Sequence, residues 1–336
     1  MTEATAFWTE EPGRGALRRE ALPAPAPDEV MVETLYSGIS RGTETLVFSG
    51  HVPDSQREVM RAPFQVGTFP GPVKYGYATV GRIVQGPGDR IGQMIFALHP
   101  HQDCFVVPTE AAVAIPGVVP PRRAILAANM ETALNALWDS GIGPGDRVAV
   151  IGLGVVGLLT AWLAHRIPGT EVAAIDIDPA KRGAAAALGL SFVDPATAAD
   201  APIGDADVVI HASGHPDGLV TALALAGFEA RVLEMSWYGT RPVNLPLGEA
   251  FHARRLELRS SQVGAVSPSR RPRWSHARRL AKALDLLADP VLDALIDDEG
   301  PFEALPETLA ALAAGERHAL CHRVIYPAAR APVASE

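Results

Sequence analysis

Apolar residues recur along this chain with two different periods, and the change of period divides it. Over the first third, short apolar runs are cut by glycine and proline. Val30, Val32, Thr34 and Tyr36 alternate with other residues, the period-two signature of a half-buried strand. Residues 4–8, 15–22, 77–84, 93–98 and 105–107 read as further strands, and Pro23, Pro25 and Pro27 punctuate the link before residue 29. From Arg123 the spacing lengthens: Leu126, Met130, Ala133, Leu134 and Leu137 fall on one face of a helix that Gly141 can cap. Apolar strands at 147–151, 171–175, 207–211 and 231–235 then alternate with helical segments, among them 158–164, 179–188 and 219–226. That succession predicts an α/β fold with a doubly wound parallel sheet. A helix carrying Leu280, Leu284 and Leu287 and a last strand at 323–326 close the chain.

The apolar run at 147–151 ends in Gly152-Leu153-Gly154-Val155-Val156-Gly157 and opens into a helix. Strand, glycine turn and helix N-terminus in that order form a pyrophosphate cradle, because exposed N–H groups and the helix dipole converge on one point. Gly152 permits the turn, Gly154 lets backbone approach the ligand, and Gly157 lets helix and strand pack closely. The next strand ends at Asp176, about 20 residues on, where a carboxylate can accept the adenosine ribose hydroxyls and repel a 2′-phosphate. The unit reads as a dinucleotide site that favours NAD over NADP, against the alternative of an ordinary βαβ unit in which Asp176 merely ends a strand.

Composition narrows the function classes. The chain has 336 residues, enough for two domains, with 48% hydrophobic and 20% charged residues, ordinary for a globular protein. A net charge of −9 argues against a duplex nucleic acid partner, whose binding needs excess cation. Cys104 and Cys321 are the only cysteines, which excludes a disulfide framework or a cysteine-rich zinc lobe. Neither a signal-like start nor a membrane-length apolar run occurs, so a cytoplasmic location without a membrane partner is expected.

With its β-rich start, central glycine turn and C-terminal return, the chain resembles the medium-chain dehydrogenase/reductase superfamily of zinc-type alcohol dehydrogenases and their relatives. Ser37-Gly38-Ile39-Ser40-Arg41-Gly42-Thr43-Glu44, Gly76-Tyr77-Ala78-Thr79-Val80-Gly81 and Pro301-Phe302-Glu303-Ala304-Leu305-Pro306 carry the likeness. The first of these strings is also similar to the bacteriochlorophyllide hydroxyethyl dehydrogenases, a local likeness that does not establish a substrate. The resemblance implies a GroES-like catalytic domain from 1–128 and 265–336, a Rossmann domain from 129–264, and an active site in the cleft between them. It implies a small-molecule substrate and a homodimer or homotetramer. By the same match Arg41 approaches the pyrophosphate, and Lys181, Ser213, Ser236, Trp237 and Gln262 contact the cofactor along with Gly152, Leu153, Gly154, Val155, Val156, Gly157 and Asp176.

The departures from the family pattern concern zinc. Ser40 stands where the catalytic-zinc members carry Cys, Gly76-Tyr77-Ala78 replaces Gly-His-Glu, and 126–132 offers no Cys. None of these side chains is a usual zinc ligand, so no metal is expected. Hydrogen-bond donors must then serve the oxygen that gains charge during hydride transfer. Tyr77 is the first candidate, against the alternative of an aromatic filling the vacated space. Ser40 can relay a proton or be a satisfied hydroxyl. Glu131 can be a desolvated base, or belong with Asn135 and Asp139 to a solvated helix face. His99 and His101 can act near neutral pH, bind an unanticipated metal with Glu44 or Glu131, or bond to backbone. The arginines at 254, 255, 259, 270, 271, 273, 278 and 279 suit an anionic substrate or, more simply, a solvated face or subunit contact. Trp237 and Tyr238 either narrow a pocket or pack. The expected activity is NAD-dependent, zinc-independent hydride transfer on an alcohol/carbonyl couple. An NADPH-dependent quinone or enoyl reductase and a non-catalytic dinucleotide-binding protein are the alternatives.

Overall fold

The two periods correspond to two units in a computed structural model that describes residues 2–196 and 205–327. Residues up to 128 and those from 296 on form one unit, and 129–295 form the other.

The first unit is built from short antiparallel strands. These are β1 (Thr2–Glu11), β2 (Arg14–Leu22), β3 (Glu29–Ile39), β4 (Val66–Gly67), β5 (Val73–Lys74), β6 (Thr79–Gln85), β7 (Met94–Ala97), β8 (Cys104–Pro108) and β9 (Val113–Ala114). Helix α1 (Arg41–Phe48) follows β3, and α2 (Pro121–Ala124) ends the segment. One sheet runs β2-β1-β5-β4. In the other, β3 pairs with both β6 and β8, so Val30, Met31 and Val32 are all buried rather than alternating as a half-buried strand would. Val30 and Val32 pack with Ile83, Ile95, Phe105 and Val107.

The second unit begins at Asn129 within α3 (Ala127–Ser140) and continues β10 (Arg147–Ile151), α4 (Val155–His165), β11 (Glu171–Ile175), α5 (Arg182–Ala187) and β12 (Ser191–Val193). After these come β13 (Ala206–His211), α6 (Pro216–Leu225), β14 (Ala226–Glu234), β15 (Glu257–Ser260) and α7 (His276–Leu286). The helix expected over 179–188 starts as a 3-10 turn at Pro179–Lys181, where Asp178 caps Ala180. The six strands lie in the order β12-β11-β10-β13-β14-β15 and every pair is parallel. The order reverses between β10 and β13, which is the topological switch point of a doubly wound sheet and opens a crevice at the strand ends. Leu219, Ala222 and Leu223 of α6 pack on Ala149, Val209 and Val232.

Residues 265–295 belong with this second unit, whereas the expected boundary assigned them to the first. The reason is α7: Arg279 is buried and reaches Glu131 and Asn135 on α3. The chain then returns to the first unit through β16 (Asp298–Pro301), α8 (Leu305–Ala314) and β17 (His322–Ile325), which pairs with β3. There Phe302, Leu305 and Leu309 join Phe7, Ile39, Phe48 and Tyr326 in a second core. Both cysteines are free thiols. Among the described residues no helix is long and apolar enough to cross a membrane.

Candidate active site

At the end of β10 the glycine turn has the geometry the sequence predicts. Gly152 adopts φ +93°, and a Cβ there would lie 2.4 Å from the Ser213 backbone. A Cβ on Gly157 would lie 1.9 Å from the Gly152 carbonyl oxygen, so neither position accepts another residue without displacing backbone. Gly154 caps α4 and faces open space. The open side of the turn at Gly154 is where a pyrophosphate would approach the backbone. Beside it, the Asp176 carboxylate accepts the Leu153 N–H at 2.6 Å and the Asp178 N–H at 2.9 Å. These bonds fix its direction at the edge of the turn and leave it half-buried.

Other predicted contacts of the second unit divide. Ser213 lies two residues past the end of β13 and is exposed, and Ser236 accepts the Gly214 N–H at 3.0 Å. Both lie at the carboxyl ends of the strands. Trp237 is half-buried. Lys181 sits 3.9 Å from Asp178. Exposed Gln262 spends its side-chain oxygen on the Gly264 N–H, 2.6 Å away.

Glu131 is not on a solvated face. It is 5% exposed, Asn135 0% and Asp139 6%, because α7 and the segment before it cover this side of α3. The Glu131 carboxylate lies 3.0 Å from Arg279 Nε, and Asn135 and Asp139 bond to each other, to Arg279 and to Ser261. Burial raises the Glu131 pKa, and the Arg279 charge opposes that rise. Its Oε1 is engaged by the buried guanidinium. Nor are the arginines a uniform solvated face: Arg279 is buried, Arg254 caps the Ala224 and Ala226 carbonyls, and Arg255 pairs with Glu229.

In the first unit, the end of β3, α1 and the loop before β6 bring Ser40, Glu44 and Tyr77 together. Tyr77 is half-buried and packs edge-on to Tyr75. Burial, reinforced by the Glu44 charge and offset by the Ser40 and Thr43 hydroxyls, pushes its pKa up to about 12. The phenol is therefore a donor at neutral pH and not a base. His101, 1% exposed, bonds to Glu44 Oε2 at 2.8 Å and to the Ser37 hydroxyl at 2.7 Å, and Ser37 reaches Tyr326 at 3.0 Å. Glu44 also accepts the Ser40 N–H at 2.7 Å. His99 does not join this cluster. It stacks on Phe105 with centroids 4.0 Å apart, and burial lowers its pKa to about 3, so it is neutral at neutral pH and no acid/base group there. Arg41 opens α1.

The residues at the family's zinc positions are hydroxyls and a methyl group, from Ser40, Tyr77 and Ala78, and these do not fit zinc. Among the described residues no three His, Cys, Asp or Glu side chains converge as a metal site.

Two site residues escaped the sequence reading. His211 and Glu234 are the last residues of the parallel strands β13 and β14 and are register partners. They lie 2.8 Å apart, and His211 also reaches the Ser213 hydroxyl at 2.6 Å. A histidine ending a buried apolar run was the available signal.

No family model matches the chain. It is 29% identical over 258 residues to the 2-desacetyl-2-hydroxyethyl bacteriochlorophyllide A dehydrogenase of Cereibacter sphaeroides, covering 68% of this chain and 72% of that protein. Its fold matches a Sinorhizobium meliloti protein bound to NADP, assigned as a zinc-binding dehydrogenase, with TM-score 0.77, 22% identity and coverage of 97% and 100%. It also matches a short chain alcohol dehydrogenase of Escherichia coli complexed with NADH, with TM-score 0.76, 18% identity and coverage of 97% and 100%. The sequence relatives are dehydrogenases, and the fold is similar to that of zinc-binding and alcohol dehydrogenase structures.

Proposed function

We propose that the chain is an NAD-dependent oxidoreductase that works without catalytic zinc, moving hydride between nicotinamide and the carbon of an alcohol/carbonyl couple. The observation that carries the cofactor choice is Asp176, whose carboxylate is fixed by two backbone N–H groups at the rim of the glycine turn. An ionised group there suits ribose hydroxyls and opposes a 2′-phosphate. When bound, NAD supplies the ring that accepts or returns hydride. Gly152, Gly154, Gly157 and Asp176 would hold its pyrophosphate and adenosine ribose.

Tyr77 supplies what the chain itself contributes to the reacting oxygen. A phenol whose pKa is raised to about 12 keeps its proton at neutral pH. It can donate to a carbonyl oxygen and stabilise the alkoxide charge that grows as hydride reaches carbon. Ser40 and Thr43 steer that hydroxyl, and the buried Glu44–His101 pair holds the Ser40 segment through the Ser40 N–H. His101 and Ser40 thereby act as positioning residues, and Glu131 as a structural one.

The test is turnover after chelation, with the residual metal content measured. NADH oxidation should continue with aldehydes and ketones, and NAD reduction with secondary alcohols, hydroxyethyl-bearing bacteriochlorophyllides included in the panel. Activity lost on chelation and restored by zinc would overturn the metal-free reading. Saturated products from enones with NADPH would select the enoyl reductase reading, and cofactor binding without any turnover the non-catalytic one.

A further inference from the structure

The carboxyl ends of β13 and β14 carry a chain of hydrogen bonds that runs from the buried interior to the surface of the second unit. Glu234 Oε1 accepts the Ser236 N–H at 2.6 Å, and Oε2 accepts the Tyr238 hydroxyl at 2.9 Å. The same Oε2 lies 2.8 Å from Nδ1 of His211, a residue with no exposed surface. An ionised carboxylate only accepts, so the proton between them is on Nδ1. In the neutral imidazole Nε2 is then an acceptor, and the Ser213 hydroxyl, 2.6 Å from it and 3.4 Å from the His215 carbonyl, donates to Nε2. Ser213 Oγ in turn accepts the His215 N–H at 3.1 Å. What remains on this exposed oxygen is an acceptor lone pair. Space for the arrangement is kept by Gly218 of α6, where a Cβ would stand 2.5 Å from Ser213 Oγ and 2.6 Å from His211 Nε2.

The position of that lone pair in the sheet gives it a ligand. Asp176 ends the β11 side and Ser213 follows β13, with the glycine turn of β10 between them. Ser213 also abuts the turn itself, its backbone lying 2.4 Å from where a Gly152 Cβ would be. A dinucleotide whose pyrophosphate occupies the turn and whose adenosine ribose meets Asp176 sends its other half past Ser213. Nicotinamide riboside carries hydroxyl and amide N–H donors, the complement of an acceptor. We infer that Glu234 and His211 are positioning residues that fix the Ser213 hydroxyl as a hydrogen-bond acceptor for the nicotinamide riboside half of the cofactor. The inference rests on the proposed nicotinamide dinucleotide site and adds the residues that set its polarity at the reactive end.

Binding of NADH and of ADP to the full chain, measured by titration calorimetry, tests it. ADP has the adenosine and pyrophosphate but no nicotinamide riboside. Ser213→Ala, on the surface, should weaken NADH about five- to tenfold and leave ADP unchanged, the worth of one hydrogen bond. His211→Asn should give the same selective loss, and the double variant should lose no more than either single one. NADH bound equally by Ser213→Ala and wild type would overturn the inference, as would additive losses. A parallel loss of ADP in His211→Asn would make that residue merely structural and overturn its assigned role. If wild-type protein binds neither NADH nor ADP, the dinucleotide reading falls and takes the inference with it.

Discussion

Arg279→Met should destabilise the second unit by about 3–5 kcal/mol, the usual result of removing one partner from a buried ion pair. The Arg279 side chain is 2% exposed and that of Glu131 7%, so solvent screens little of their interaction. Arg279 donates to Glu131 at 3.0 Å, to Asn135 Oδ1 at 2.6 Å and to the Ala265 and Val263 carbonyls. Methionine can pack in the stem's place but satisfies none of these acceptors. The loss should depend on pH. Burial raises the Glu131 pKa and Arg279 holds it down, so removing Arg279 raises it further. A carboxyl that binds its proton more tightly when folded contributes stability below its unfolded pKa and loses it as pH rises through the folded value. The deficit of Arg279→Met should therefore be smaller near pH 5 than near pH 8. Urea unfolding followed by tryptophan emission reads this directly, since Trp138 on α3 and Trp274 just before α7 pack with centroids 4.8 Å apart. A paired Glu131→Leu/Arg279→Met variant should be more stable than Arg279→Met alone, because no buried charge is left unpartnered. Arg279→Met within about 0.5 kcal/mol of wild type at both pH values, or Glu131→Gln that is fully stable but inactive, would refute the structural role and restore Glu131 as a base.

Other expectations follow from the same geometry. Tyr77→Phe should lower kcat about 100-fold with little change in NADH affinity, and unchanged steady-state rates would remove Tyr77 from the mechanism. With the Tyr77 pKa raised to about 12, the rate profile should show no alkaline fall from this group below about pH 11. Asp176→Ser should weaken NADH and strengthen NADPH, each about tenfold, by removing both a ribose acceptor and a repelling charge; fluorescence titration of the two cofactors checks it. The His99 ring, with its pKa lowered to about 3, should stay neutral throughout neutral and mildly acidic pH. Its NMR ring resonances should show no titration near pH 6.5, and a midpoint there would contradict its buried placement.

Much of the fold was legible because the second unit depends on local patterns. Apolar runs of strand length alternate with helices, and the glycine turn and Asp176 stand where the strand order needs them. The two-residue strands β4, β5 and β9 were not legible, since two residues carry no period, and β15, Glu257–Ser260, is an edge strand with polar residues. The buried face of α3 was misread for another reason. Glu131, Asn135 and Asp139 have the composition of a solvated face, and Arg279 and Ser261, far along the chain, make their burial tolerable. His211 and Glu234 were passed over because neither belongs to a local motif. Their pairing is a matter of register between parallel strands, visible only once β13 and β14 are side by side.

The most direct test of the central claim is a parallel titration of chelator-treated protein with NADH and NADPH, followed by nicotinamide emission. NADH should bind at least about tenfold tighter than NADPH, from the charge on Asp176. NADPH binding as tight as NADH, or no binding of either, would contradict it.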